Sequence, residues 1–316
     1  MHIPDGYLSD PICAATAMAA TAGVTWSVLQ LRSDDDRPRA GQMAVVGAGV
    51  FAMHLLNAPI DYGTSGHLVG AAAAAALLGP WAATLTMAVV LALECLLFGD
   101  GGLGSLGANV LNMAVLAPWA ASAILTLGAR RQNDASRQLI AVPLPLAAAA
   151  GLGSTLLAVV ACGLELGLSG AAAMTTVLPA MFRAHMLVGI AEGCFTAGLL
   201  ALIGRHAARE NRAGVSAVAD WLAGRSEWLA AMLALAAAVV LAPWACSLPD
   251  GLEHVAQTFG FADLQTTVTW SLAPDYLWPG IAWQPLATSL AALVGIAAVY
   301  LATYGVGRAC TVRGEK

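Results

Sequence analysis

The sequence is poor in charge, and its cysteines do not occur in pairs. Charged side chains make up 10% of the 316 residues, whereas soluble domains carry about 25%, and this difference excludes a soluble globular protein. The six cysteines lie singly, mostly in apolar runs, without a Cys-x-x-Cys pair, so no disulfide framework is predicted. The one lysine is Lys316, so the chain has no Gly-Lys P-loop and is not itself an ATPase of that type.

Long apolar runs instead predict an all-α integral membrane protein. Hydrophobic residues make up 59% of the chain, the mean hydropathy is +0.74, and several runs reach the roughly 20 residues that cross a bilayer. Nine transmembrane helices are predicted, near residues 10–31, 41–57, 67–79, 80–98, 106–128, 139–163, 182–204, 227–246 and 284–306. The third is short, and its Gly-Pro-Trp boundary with the fourth predicts a tight turn or a kink.

The arginines predict how these spans are oriented. By the count of crossings, nearly all positive residues fall on one side, and Arg183 alone falls on the other. The residues of the first group are Arg32, Arg37, Arg39, Arg130, Arg131, Arg137, Arg205, Arg209, Arg212, Arg225, Arg308, Arg313 and Lys316. The positive-inside rule makes that side the cytoplasm, so the N-terminus is predicted outside the inner (cytoplasmic) membrane. No basic run precedes the first apolar stretch, and we therefore expect no cleaved leader and a mature chain that begins at Met1.

One polar interval divides the chain into two modules. The stretch RHAARENRAGVSAVADWLAGRSEW is the longest polar interval on the predicted cytoplasmic side. It separates a seven-span unit from a two-span unit with a large external loop. The predicted parts are a first domain at 1–205, a cytoplasmic linker at 206–226, a second module at 227–306 with its external loop at 247–283, and a cytoplasmic tail at 307–316.

The N-terminus itself can chelate a metal ion. The amine of Met1, the amide nitrogen of His2 and the imidazole of His2 can form a planar three-nitrogen chelate. Planar nitrogen coordination suits Ni(II) or Cu(II), with Co(II) as a further candidate, rather than Zn(II) or Mg(II). A histidine at the second position can also arise by chance.

A second feature on the predicted external side is the loop NAPIDYGTSGHLVGA. The imidazole of His67 would complete a four-nitrogen square with the terminal chelate, although a histidine here can also be a hydrogen-bonded packing residue. Neighbouring polar side chains could orient the imidazoles or neutralise charge, while turn formation and capping explain them as well. They are Asp5, Asn57, Asp61, Thr64 and Ser65.

Several long blocks, in order, resemble a known family. MHIPDGYL, GTSGHLVG, LLGPWAA, LLFGDGGLGSLGANVLNM and RAHMLVGIAEG are similar to the CbiM/NikM family, the cobalt/nickel substrate-binding component of energy-coupling-factor (ECF) transporters, from about residue 1 to 205. SLPDGLEHVAQTFGF and APDYLWPGI resemble the small accessory component of the same transporters, the CbiN/NikN or PDGLE type. That component is fused here over roughly 225–306.

The resemblance implies a site and a set of partners. Met1 would contribute its amine, His2 its amide and imidazole nitrogens, and His67 its imidazole, with Ni(II) or Co(II) as the transported substrate. The partners would be a transmembrane coupling protein and two cytoplasmic ATPases, within membrane lipid and without nucleic acid. The chain would then be a transport subunit and not an enzyme.

A few ionisable residues stand apart from this scheme. His54 lies where the family block leads us to expect an amide or non-ionisable residue, and it is either a relay ligand beneath the site or an uncharged, hydrogen-bonded histidine. The intramembrane acids Glu94 and Glu192 are functional candidates, because charge in hydrocarbon is unfavourable, unless both are protonated and hydrogen-bonded. His185 accompanies Glu192 in the RAHMLVGIAEG block.

Two other functions remain open from the residues alone. A self-sufficient secondary permease or channel for a divalent cation would need intramembrane acids along a continuous path and would work without ATPases. A membrane metalloenzyme would need turnover that depends on His185 and Glu192, but the chain contains no HExxH or comparable motif.

Overall fold

The computed structural model describes residues 1–34, 37–60, 63–129, 142–209, 232, 236, 239–266 and 271–311. Within these residues the chain is mostly helical, as the sequence predicts, and a short antiparallel pairing of two strands is the one sheet. Asp61, most of the linker at 206–226 and most of the predicted eighth span lie outside the described residues.

The described helices and strands have the following bounds. The helices are α1 Asp10–Ser33, α2 Ala40–His54, α3 Ala71–Leu93, α4 Leu106–Asn109, α5 Ala117–Ala129, α6 Leu144–Leu168, α7 Met174–Arg209, α8 Gly251–Phe259 and α9 Gln284–Thr311. The strands are β1 Ala58–Pro59 and β2 Ser65–Gly66. π-Helical turns extend α3 over Glu94–Phe98 and join α4 to α5 over Val110–Leu116.

Six of the described elements are long and apolar enough to cross a membrane. They are Asp10–Ser33, Ala71–Phe98, Leu106–Leu127, Leu144–Leu168, Met174–Arg205 and Gln284–Cys310. Helix α2 is equally apolar but only 15 residues long. The element Ala71–Phe98 contains both the predicted third and fourth spans, and most of the predicted eighth span lies outside the described residues.

That element turns back on itself at Gly79. The residue has φ 75° and ψ 167°, a conformation that glycine adopts readily, and a proline follows it. Both ends of the element meet His54, which lies 3.0 Å from the Val69 carbonyl oxygen and 2.7 Å from a Glu94 carboxylate oxygen. A straight helix would separate residues 69 and 94 by roughly 37 Å. The chain thus forms a helical hairpin at the predicted turn, and both of its arms reach the same end of the bundle.

Small residues allow the helices around this hairpin to pack closely. The run Ala71–Ala76 in the first arm is buried throughout. Helices α6 and α7 cross at Gly151 and Gly193, where a Cβ on either glycine would lie 2.6 Å from a backbone carbonyl oxygen of the other helix. Close backbone approach of this kind is the usual way for helices to associate within a membrane.

We call the end of the bundle that carries Met1, His54 and Asp250 the site end. Arg183 lines a cavity there with Thr64 and His254. The other described arginines belong to the segments that end α1 and α7, precede α2 or close α9, and all lie at the opposite end. These are Arg32, Arg37, Arg39, Arg205, Arg209 and Arg308.

Candidate metal site

The N-terminus is folded into the protein. Met1, His2 and Ile3 are all buried. The Ile3 amide donates to Asn109 Oδ1 at 2.8 Å, and the Ile3 carbonyl accepts from the Ser105 hydroxyl at 2.5 Å and from the Gly102 amide at 2.9 Å. The glycine-rich loop before α4 therefore holds the first residues in a fixed place, as a metal-binding terminus requires.

Asp5 fastens the same segment at a second point. Its carboxylate accepts hydrogen bonds from the backbone amides of Leu103, Gly104 and Ser105 at 2.8 to 3.2 Å. Its carbonyl oxygen accepts from the Thr266 amide at 2.9 Å. Asp5 thus positions the terminal segment and does not contact the imidazoles that it was expected to orient.

Three imidazoles meet beside the terminus. The ring centroids of His2 and His67 are 5.6 Å apart, those of His2 and His54 are 5.6 Å apart, and those of His54 and His67 are 4.8 Å apart. The rings come from the terminal segment, the last residue of α2 and the loop before α3. A cavity of about 10 Å³, the room that a single water or ion needs, lies between Met1, His67, His185 and Asp250.

The Met1 amine forms an ion pair with Asp250 of the second module. The nitrogen lies 2.5 Å from Asp250 Oδ2. The other carboxylate oxygen caps α8 by accepting from the Glu253 amide at 2.8 Å. Burial alone would lower the pKa of the amine, but the charge and hydrogen bond of Asp250 outweigh it and raise that pKa above its ordinary value of 8.0. Burial would likewise raise the pKa of the Asp250 carboxyl, but the ammonium holds it below its usual range.

The His2 imidazole also faces carboxylates. Nδ1 lies 3.2 Å from Asp100 Oδ1 and 4.0 Å from Glu94 Oε2. The Tyr276 hydroxyl donates to the other Asp100 oxygen at 2.7 Å. The second ring nitrogen, Nε2, is buried and has no hydrogen-bond partner in the part of the chain that the structure describes.

His67 presents a nitrogen that is ready to bind a metal. Nδ1 lies 3.1 Å from the Leu68 carbonyl oxygen, and because a carbonyl only accepts, Nδ1 carries the proton and Nε2 keeps its lone pair. Burial, with the charges of His54, the N-terminus and His2 as smaller causes, lowers the pKa of His67 well below its ordinary value. A neutral imidazole of this tautomer is the form that coordinates a metal ion.

His54 has both ring nitrogens occupied. Nε2 lies 3.0 Å from the Val69 carbonyl oxygen and therefore donates to it, and Nδ1 lies 2.7 Å from Glu94 Oε1. Glu94 is completely buried. In this state His54 is a hydrogen-bonded interior histidine, and it ties the end of α2 to both arms of the helical hairpin.

Asn57 and Ser65 hold the external loop of the second module, and this differs from their expected role beside the imidazoles. The Asn57 amide donates to the Ser65 hydroxyl at 2.8 Å, and that hydroxyl donates to the Leu248 carbonyl at 2.6 Å. The Ser65 amide donates to the Pro249 carbonyl at 2.8 Å. The Thr64 carbonyl closes the hairpin of β1 and β2 through the amide of Ile60. These contacts place the residue that follows Pro249, which is the partner of the terminal amine.

His185 and Glu192 flank the site from α7. The Glu192 carboxylate accepts from the amides of Val69 and Gly70, each at 2.9 Å, and so caps the start of α3 next to His67. His185 Nδ1 donates to the Met181 carbonyl at 2.9 Å. Glu192 supports the loop that carries His67, His185 lies against Gly251 of the second module, and neither has the geometry of a catalytic acid–base pair.

Sequence reasoning did not single out Asp100, Asp250 or Tyr276. Asp250 belongs to the quoted PDGLE stretch and Asp100 to the quoted glycine-rich loop, so their motifs were visible, but the partners of these residues were not. Tyr276 and Asp275 are the non-glycine residues with positive φ in the described part of the chain, at 58° and 53°. This unusual backbone conformation draws attention to Tyr276 in the structure.

Comparison with known proteins identifies the family of this chain. Residues 2–210 match the family model for CbiM, described as the cobalt uptake substrate-specific transmembrane region. The chain belongs to the CbiM family. A provisionally named fused nickel transport protein, NikMN of Archaeoglobus fulgidus, is 34% identical over 98% of both chains. This match also covers the second module, so the CbiM region is fused to a NikN-type region.

Other proteins that are similar to the CbiM region are also named or described as metal transporters. The fused nickel transport protein NikMN of Rhodobacter capsulatus is 39% identical over 65% of this chain and 62% of its own length. A crystal structure described as a truncated transition metal transporter matches 67% of this chain and all of its own, with 31% identity and a TM-score of 0.55. The family and the six apolar helices make the protein a multi-pass membrane protein.

Proposed function

We propose that this chain is the substrate-binding membrane subunit of an ATP-driven ECF importer for Ni(II) or Co(II). The observation that carries the proposal is the buried N-terminus. The Met1 amine and the His2 imidazole lie next to His67 at the site end. The ligands are the Met1 amine, the His2 amide nitrogen and Nδ1, and His67 Nε2. The names of the relatives, which are nickel transport proteins, support the choice of substrate.

Loading the ion exchanges protons for metal. The Met1 ammonium loses one proton when its nitrogen coordinates, and the His2 amide loses another. Asp250 and Asp100 contact the Met1 amine and the His2 ring in the metal-free state. Both carboxylates then remain beside the site and offset the charge of the bound cation, so the metal replaces protons within an existing charged network.

The ion enters from outside and leaves toward the cytoplasm. The arginines at the end opposite to the site support this direction, since positive residues favour the cytoplasmic face. The site end then faces outward from the inner (cytoplasmic) membrane. We assign the two modules to residues 1–205 and 227–306, and we assign to the loop at 247–283 the role of covering the site from outside.

Release inward requires partner subunits, a transmembrane coupling protein and cytoplasmic ATPases. A chain without a P-loop cannot hydrolyse ATP by that mechanism. A self-sufficient permease finds less support, because a continuous cation path would need Glu192, whose carboxylate is engaged by two backbone amides.

Uptake of radioactive nickel and cobalt by cells tests the proposal. The chain is produced alone, with its coupling protein and ATPases, and with ATPases whose P-loop lysine is replaced. We expect uptake only with the complete and active set. Equal uptake by the chain alone would contradict the ATP-driven mechanism and favour the permease.

A further inference from the structure

Two buried ligand atoms beneath the terminal chelate have no partner. Among the described residues, His2 Nε2 and Glu94 Oε2 are buried and accept or donate no hydrogen bond. Glu94 is completely buried, and His2 is 8% exposed. Buried polar atoms nearly always have a bonding partner. Two unpartnered atoms in one cluster therefore indicate that a bound ligand supplies the partner.

A third side chain belongs to the same cluster. His2, His54 and Glu94 each offer one ligand atom, and these atoms all lie within 4.8 Å of one another. Two ligands with bonds of about 2.1 Å to one ion lie at most about 4.2 Å apart. A shift of roughly 0.6 Å would therefore let all three coordinate a single ion, with bonds of ordinary length.

We propose that His54, Glu94 and His2 form a second, inner site for the transported divalent cation. The inference rests on the proposed function, because the ion reaches this inner site from the terminal chelate of Met1, His2 and His67. A ligand set of two imidazoles and one carboxylate suits a first-row divalent ion in a non-planar geometry, unlike the planar nitrogen chelate above it. Glu94 begins the π-helical turn that precedes the loop with Asp100, so the inner site lies on the helix side of that loop.

The transfer balances in protons and changes no oxidation state. His54 Nε2 donates a hydrogen bond to the Val69 carbonyl oxygen, so it carries a proton of its own. One further proton lies between His54 Nδ1 and Glu94 Oε1, which are 2.7 Å apart. The ion displaces that proton and bonds to both atoms. At the terminal chelate the bonds from the ion to the Met1 amine, the His2 amide, His2 Nδ1 and His67 Nε2 break. The amine and the amide each take back one proton, one of them the proton displaced from the His54–Glu94 contact and the other from water, and His67 Nε2 needs none.

His2 belongs to both sites, which makes the step short. Its imidazole ring lies 5.6 Å, between centroids, from each of the other two imidazoles. The terminal chelate uses His2 Nδ1 and the inner site uses Nε2 of the same ring, so the ion exchanges one set of ligands for the other while the ring proton moves from Nε2 to Nδ1. The two sites are alternatives for one ion, so the protein binds a single ion at a time.

Binding of Co(II), followed by its visible absorption, tests the inner site because that spectrum reports coordination geometry. Adding Gly-Ser before Met1 removes the amine from the chelate. One added residue would not serve, since a histidine third in the chain can itself form a four-nitrogen chelate. We expect the extended chain to keep one weaker Co(II) site with a non-planar spectrum. Glu94→Gln and His54→Gln, made in the extended chain, should each weaken it at least tenfold.

The control is Glu165→Gln, which changes another buried acid, bonded to Asn112 and not to the histidines. It should leave Co(II) binding of the extended chain within about twofold. Retained thermal unfolding temperatures show that each variant is folded. Absence of Co(II) binding by the folded extended chain, or binding that neither substitution weakens, overturns the inner site. An extension that leaves the nickel affinity of the chain unchanged contradicts the proposed function instead.

Discussion

At the scale of single residues, Asp250 holds the Met1 amine as an ammonium ion, and in the proposed function the metal must displace a proton from it. Asp250 raises its pKa above 8.0, so the charged form stabilises the metal-free protein. That stabilisation is fully present below pH 8.0 and is lost as the pH rises through the raised pKa. Metal affinity has the opposite dependence, because coordination requires the neutral amine.

The first prediction concerns Asp250. Nickel affinity should rise with pH, and Asp250→Asn should move this rise to lower pH, because burial without the carboxylate favours the neutral amine. Titrations in which a chelator competes for Ni(II), run between about pH 6 and about pH 9, measure this shift. Asp263→Asn, an exposed acid of the same external loop, should leave the profile unchanged. Identical profiles for wild type and Asp250→Asn would rule out this role.

The second prediction compares two histidines at the site end. His67→Ala removes one of four nitrogen ligands, and since loss of a mere supporting partner weakens metal sites about 10- to 100-fold, we expect a loss of more than about 100-fold. His254→Ala, which changes the histidine of the external cavity, should alter the affinity by less than about twofold. Isothermal titration with Ni(II) and with Co(II) measures both. Equal losses for the two variants would argue against His67 as a ligand.

At the scale of elements, the helical hairpin of α3 is held at its start by a residue of another helix. Glu192 of α7 binds the amides of Val69 and Gly70, directly after His67. The amides at the start of a helix have no partners within it. A carboxylate can accept from both, so the position of the His67 loop depends on α7.

The third prediction follows from this cap. Glu192→Gln can accept only one of the two amide hydrogen bonds, so the free energy of unfolding should fall by about 1–3 kcal/mol. Unfolding in detergent measures the change. Glu165→Gln is the matched control, since its remaining oxygen can still accept from Asn112. Unchanged stability of Glu192→Gln would show that the cap is unimportant.

The sequence predicted most elements because membrane spans are continuous apolar runs, and Gly79 with Pro80 marked the turn. It also predicted the terminal chelate, since Met1 and His2 are adjacent and one loop supplies His67. The partners Asp250 and Tyr276 could not be predicted, because they lie far along the chain from what they contact and only the tertiary fold brings them together. His54 and Glu94 were each noticed, but periodicity could not show that they form a pair.

At the scale of the whole molecule, the second module covers the site built by the first. Asp250 pairs with the Met1 amine, Tyr276 with Asp100, and Thr266 with Asp5. Helix α9 meanwhile packs along α2, where a Cβ on Gly307 would lie 2.8 Å from Ala40 Cα. In the proposed function, an ion that leaves the site outward therefore has to pass the second module.

The fourth prediction tests this cover through Ser65, which bonds the loop at Leu248 and Pro249. Ser65→Ala should speed dissociation of Ni(II) about tenfold, which corresponds to about 1.4 kcal/mol, within the range for lost buried hydrogen bonds. Stopped-flow chelator competition measures the rate. Ser289→Ala, which removes a hydroxyl bonded to the Val239 carbonyl, is the control. A rate unchanged by Ser65→Ala would mean that the loop does not retain the ion.

The terminal chelate is the central claim, and equilibrium binding of Ni(II) and Co(II) to the purified chain tests it most directly. The native terminus is compared with a chain that carries Gly-Ser before Met1, which keeps every side chain and moves only the amine. The account predicts that the extension lowers the nickel affinity more than about 100-fold, as a lost metal ligand should. Equal affinities of the two chains for both metals would contradict it.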